Sequence, residues 1–127
     1  MAAVLAKDPA GVRRLTPQQA AAASGALLID TRTESQRRHQ GELPGEIVID
    51  RTILEWRLDP SSGASIPEAT GYDLEIIVVC RQGYSSILAA GRLRAVGLWR
   101  ATDMIDGVEG WLAAGLPLTG GPADARI

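Results

Sequence analysis

The chain is poor in the residues that build most metal and redox sites. Its 127 residues hold one Cys, one His, one Lys and no Phe. The single thiol, Cys80, leaves nothing for an intrachain disulfide or a CxxC pair, and the lone His39 rules out a multi-His metal centre. No metal and no cofactor are therefore expected. Excess positive charge is also lacking: 13 Lys and Arg stand against 15 Asp and Glu, a formal charge of −2. A phosphate backbone would find no basic face, so no nucleic acid partner is expected. No stretch nears the roughly 18 apolar residues that cross a bilayer. The apolar start is broken by Lys7 and Asp8 before it could serve as a signal peptide. These absences lead to the expectation of a cytoplasmic protein with no membrane partner and a thiol kept reduced.

What is present suits one globular domain, with 46% hydrophobic and 22% charged residues. Residues 1–14 lack periodicity and read as an extended lead-in. Thr16-Pro17 then signals a helix over 17–24, stopped at Gly25. Short strands are expected at 26–30, 46–50 and 75–79, the last a β-branched EIIVV run, with a final strand at 102–105. Between them the pattern predicts helices over 33–39, 52–58 and 109–114. It also predicts an amphipathic helix over 85–96, with Ile87, Leu88, Leu93 and Val96 as its apolar set. Residues 59–70 form a Pro/Ser/Gly loop and 115–121 a Pro/Gly tail. Apolar strands alternating with helices predict an α/β fold with a parallel sheet covered on both faces. Ligands bind such sheets beyond the carboxyl ends of the strands, so the residues after Val79 carry the first candidate site.

Those residues read Cys80-Arg81-Gln82-Gly83-Tyr84-Ser85-Ser86. A buried strand delivers the Cys, a loop too short to wander follows, and a helix opens near Ser85. Gly83 allows the positive φ of a tight curl. Amides curled at a helix N-terminus favour an anion, so a thiol there ionises more easily and becomes a nucleophile. The alternative for a lone Cys after an apolar strand is a small core residue. The loop that follows is what packing alone does not require.

This segment resembles the active-site loop of the rhodanese homology domain, the single-domain sulfurtransferases. Three further motifs agree in order. Leu28-Ile29-Asp30-Thr31-Arg32 is similar to the family's Asp-x-Arg strand signature, and Gly41-Glu42-Leu43-Pro44-Gly45 to its Gly-His-Ile-Pro-Gly turn. Gly107-Val108-Glu109-Gly110-Trp111 with Gly115-Leu116-Pro117 resembles its closing Gly-Gly-x-x-x-Trp-x-x-x-Gly-x-Pro. The resemblance covers 15–118, leaving 119–127 as a C-terminal tail. It implies a three-layer α/β/α fold with a five-stranded parallel sheet. It also implies a cycle in which Cys80 takes a sulfane sulfur from a donor such as thiosulfate, becomes a persulfide, and passes the sulfur to a thiol acceptor. Carried over, Cys80 is the nucleophile. Arg81, Gln82, Gly83, Tyr84, Ser85 and Ser86 form the substrate-binding loop, with Arg81 attracting the anionic donor. The partners implied are a small sulfur donor, a thiol acceptor and a protein that accepts sulfur.

Three positions depart from the family pattern: Ser85 where many members have Arg, Glu42 for His, and Asp106 for the first Gly of the closing pair. Glu42 reads as a surface change; Asp106 is expected near the mouth of the site. Asp30 and Arg32 read as structural, a carboxylate tying down neighbouring loop amides and an Arg bridging elements, with a site-side ion pair as the alternative. Trp56, Trp99 and Trp111 are expected as core bulk in a chain without Phe. His39 and the pair Arg37-Arg38 read as solvated, while Tyr84 either gates the sulfur or projects into solvent. Two other functions stay open: a non-catalytic sulfur-relay or binding module on the same fold, and a phosphatase or arsenate reductase. Against the latter, the related dual-specificity phosphatases use a loop one residue longer, with Arg at the position held here by Ser86.

Overall fold

The structure is a computed structural model and describes residues 6–127; the first part of the expected lead-in, residues 1–5, lies outside them. Five strands form one sheet in the order β4-β3-β1-β2-β5. They are β1 (Leu27–Asp30), β2 (Ile47–Ile49), β3 (Ile76–Val79), β4 (Ala101–Asp103) and β5 (Ala125–Arg126), and every pairing is parallel. The helices are α1 (Pro17–Ala22), α2 (Glu34–Gln40), α3 (Leu54–Leu58), α4 (Ser85–Ala95) and α5 (Gly107–Ala113).

The strands are continuously apolar because both faces are covered. Along β3, Ile76 and Val78 join one core with Ile29, Leu54, Leu58 and Leu93. Ile77 and Val79 join a second with Ala20, Met104, Val108 and Trp111. This alternation places α3 and α4 on one face and α1 and α5 on the other, the layering expected. Local signals set the helix starts. Thr16 with Gln19 and Thr33 with Gln36 form capping boxes, each threonine accepting the amide of the glutamine that reaches back to it.

Several expectations are corrected. The lead-in is part of the fold over its described length. Lys7 and Arg13 bridge each other, Asp8 and Arg14 are buried, and Leu15 pairs in parallel with Met104, covering the edge of β4. The C-terminal tail holds β5, which pairs with β2, so the strand ending at Asp103 is not the last. Two exposed or half-buried residues carry no hydrophobic pattern by which β5 could be read. Helix α4 is not amphipathic in the expected way: it buries Ser86, Ala89, Ala90 and Leu93, and leaves Leu88 exposed. Small side chains let it sit close to β3 and β4. Trp111 is core, its Nε1 donating to the Pro117 carbonyl at 2.9 Å. Trp56 and Trp99 are 55% and 62% exposed and are not core. The core is filled by Ile, Leu and Val instead, and Trp99 bonds Asp73 at the surface.

Candidate active site

The chain leaves β1 toward β2, then returns past β1 to lay down β3 on its other side. The two directions part at the carboxyl ends of β1 and β3, and a crevice opens where they do. Cys80, directly after β3, lies at the floor of an open pocket of about 180 Å³. The rest of the lining is Thr31 after β1, Gln36 of α2, and Arg81, Gln82, Tyr84 and Ser85 of the loop. That volume admits an ion of a few atoms rather than a cofactor, whose sites are commonly about 300 Å³ or more.

The loop is fastened by its carbonyls. Cys80 O accepts from the Val108 amide and Arg81 O from the Glu109 amide, both at 3.0 Å. Gln40 Nε2 reaches Arg81 O at 3.4 Å, and Arg14 Nη2 reaches Gly83 O at 2.8 Å. In a planar trans peptide the next N–H points away from the carbonyl, so tying carbonyls outward turns amides inward. The Gly83 amide donates to Cys80 Sγ at 3.1 Å. Gly83 has φ +84°, and a Cβ there would stand 2.6 Å from the Asp106 backbone nitrogen, so the curl requires glycine. Asp106 itself has φ +61°, a left-handed conformation that short polar residues tolerate where the family pattern has glycine.

Burial by itself pushes the Cys80 thiol up. The Ser85 hydroxyl and the Ser86 and Gln82 amides act against burial, as a Ser86 hydroxyl would if its hydrogen pointed at the sulfur, and the thiol lies below its ordinary value. Arg81 and Tyr84 are exposed at the pocket rim, with Arg81 Nη2 held by Gln82 Oε1 at 2.6 Å.

Of the residues expected to contact substrate, Ser86 stands apart. Its side chain is fully buried, with Oγ 3.3 Å from Cys80 Sγ and donating to Asp103 Oδ2 at 2.7 Å. Asp103 in turn is clasped by Arg14, Nε to Oδ1 at 2.8 Å and Nη2 to Oδ2 at 2.9 Å. The sequence reading missed both residues. Asp103 had a signal, a carboxylate inside an apolar strand; Arg14 had none, since only the folded chain brings the N-terminal segment to the loop.

Beside the loop, Asp30 and Arg32 form a fully buried ion pair at 2.7 Å, outside the pocket lining, and Asp30 Oδ1 also accepts from the Arg32 amide at 2.9 Å, the amide-tying role expected of it. Arg32 also reaches Gln40, the residue that ties Arg81. Glu42 is not a surface change. It is partly buried, pairs with Arg37 at 3.3 Å, and faces the buried Glu46 and Arg32. Arg37 is accordingly half-buried against Glu42 and the Arg32 carbonyl rather than solvated, whereas Arg38 and His39 are exposed. The carboxylates of Asp30, Glu42 and Glu46 lie within 4.8 Å of one another, a spacing that could hold a metal ion. The Arg32 guanidinium already stands among them, at 2.7, 3.9 and 3.6 Å, and fills the cation's place. Glu46, whose two oxygens accept no hydrogen bond, is pushed up to about 10 by burial and by the neighbouring carboxyls of Asp30 and Glu42, to which its protonated form can donate, with Arg32 offsetting only part. Among the described residues no helix is long and apolar enough to cross a membrane.

Known proteins place this frame. A sulfurtransferase of Allochromatium vinosum is 30% identical over 101 residues, covering 80% of this chain and 85% of its own. A solved structure from Rhodopseudomonas palustris, of unknown function and described as a possible tyrosine phosphatase, is 28% identical. It aligns with a TM-score of 0.75 over 84% of this chain and 83% of that one. The human single-domain sulfurtransferase shares the fold, with a TM-score of 0.61 and 23% identity over 76% of this chain and 88% of that one. The family model for the rhodanese-like domain matches residues 16–114, from the cap of α1 through α5 and so through the Cys80 loop. The chain therefore belongs to the rhodanese-like domain family.

Proposed function

We propose that the protein is a sulfurtransferase that carries sulfur on Cys80 from a small donor of the thiosulfate class to a thiol acceptor. The observation that carries this reading is the sulfur itself, at the floor of a small pocket and bonded by the Gly83 amide at 3.1 Å. In the forward step the Cys80 thiolate attacks the sulfane sulfur of thiosulfate. A new S–S bond forms, the donor's S–S bond breaks, and sulfite leaves with the electron pair. The persulfide's outer sulfur is a compact anion that inward amides suit. An acceptor thiolate, on a small molecule or on a protein, then attacks that outer sulfur and returns Cys80 as thiolate. Family membership and the Allochromatium vinosum relative support the same chemistry.

Phosphoryl transfer fits the loop less well. Its transition state spreads charge over three equatorial oxygens and needs a guanidinium fork around them. At the sixth position after Cys80 stands Ser86, buried and bonded to a carboxylate, and Arg14 is committed to Asp103 and Gly83. The test is intact-protein mass spectrometry after thiosulfate treatment. The expected result is one added sulfur atom, removed by a thiol reductant, and none on Cys80→Ser. No gain on the unaltered chain, or equal gain on both, overturns the reading.

A further inference from the structure

The Ser86 hydroxyl has one hydrogen and two neighbours able to accept it. Asp103 Oδ2 lies 2.7 Å away and Cys80 Sγ 3.3 Å away. The first is a short bond to a charged oxygen, the stronger kind; the second is long. Asp103 cannot turn from Ser86, because Arg14 clasps both of its oxygens in a buried pair. The hydrogen therefore stays on the Asp103 side, and an Oγ lone pair faces the sulfur. A lone pair stabilises S–H and opposes S⁻.

We propose that Asp103, clamped by Arg14, is a positioning residue that fixes Ser86 as a hydrogen-bond acceptor for the Cys80 thiol, opposing the loop amides that favour the thiolate. A Ser86 hydroxyl aimed at the sulfur would act with the amides; aimed at Asp103, it acts against them. If Cys80 carries sulfur as proposed, the persulfide's inner sulfur has no proton to give. Ser86 then loses its partner, and the resting thiol is favoured over the loaded state.

Other groups around the sulfur must be counted. The loop contributes Arg81 and Tyr84, both exposed. Strand β4 contributes Asp103 and the N-terminal segment Arg14, while Asp106 meets the loop through its backbone beside Gly83. Helix α2 and the end of β1 offer uncharged Gln36 and Thr31 to the pocket. The β1 carboxylate, Asp30, is taken by Arg32.

The experiment is the pH profile of iodoacetamide alkylation of Cys80 in the full chain, which needs no sulfur donor and so stands or falls separately from the sulfur-transfer reading. Ser86→Ala removes the acceptor, and the midpoint should move down by about 0.5 to 1 pH unit, the worth of one hydrogen bond. Asp103→Asn should also move it down, and by clearly less in the Ser86→Ala background. A midpoint that rises or stays in place in Ser86→Ala overturns the proposal, because Ser86 then donates to the sulfur or does not act on it. Equal Asp103→Asn shifts in both backgrounds overturn it as well, since the carboxylate then acts through space. Should Asp103→Asn fail to fold by circular dichroism, the direction of the Ser86→Ala shift decides alone.

Discussion

Glu46 Oε1 stands 3.6 Å from Arg32 Nη2, beyond hydrogen-bond reach, while Asp30 holds the same nitrogen at 2.7 Å. The cluster around them sets three carboxyls, Asp30, Glu42 and Glu46, against two guanidiniums, Arg32 and Arg37. One proton balances it, and the buried Glu46 is where it resides.

That proton makes stability fall as pH rises. Glu46 is raised in the folded state from 4.5 to about 10, so between those values the folded chain keeps a proton that the unfolded chain releases. Glu46→Gln does not titrate. It should match the parent near pH 4 and exceed it increasingly as pH rises toward 9, by about 1.4 kcal/mol for each pH unit, roughly 3–6 °C in Tm apiece. Thermal melts across that range check it; a constant or shrinking difference removes Glu46 as the titrating group.

Arg32→Ala removes the guanidinium that three carboxyls share. An unpaired buried charge costs about 3–5 kcal/mol. Urea unfolding should show a loss of that size. A loss under about 1 kcal/mol would mean the pair is no better than a surface one.

Gly83→Ala should harm both stability and thiol chemistry. The new Cβ meets the Asp106 backbone at 2.6 Å, at a φ of +84° that alanine resists. Strain of this kind costs about 1–3 kcal/mol before any clash is relieved. The melting temperature should fall and the alkylation midpoint of Cys80 should rise as the Gly83 amide moves off the sulfur. A lowered Tm with an unmoved midpoint would show that this amide does not stabilise the thiolate.

Arg81 is exposed at the rim, so its effect on an anionic donor is one of attraction. Arg81→Ala should lower kcat/KM for thiosulfate about 3- to 10-fold at low ionic strength, and the difference should shrink with added salt. An unchanged kcat/KM removes Arg81 from donor capture without touching the role of Cys80.

The strands around Cys80 were legible because each is a short, largely apolar run between turn residues, and because the loop motif follows the strongest of them; their order in the sheet was not. What lay hidden shares one physical cause. Glu42 read as surface, and Arg14, Asp103 and Glu46 are charged residues whose partners appear only when the fold pairs and buries them. Those partners lie far away in sequence, as with Arg14 and Asp103, or on a neighbouring element, as with Arg37 for Glu42 and Arg32 for Glu46. Strand β5 escaped for the opposite reason, being held by backbone pairing and the Arg126–Glu68 ion pair rather than by apolar burial.

The carbonyls of the Cys80 loop are tied to residues from the N-terminal segment, α2 and α5. A loop anchored to both ends of the chain is not a separate foldon, since its opening would require parts far apart in sequence to detach together. Cys80 should therefore react from the pocket side at a rate that stays level as urea is added. Exposure from behind should appear only with the global transition, which makes the lone thiol a built-in reporter of cooperative unfolding.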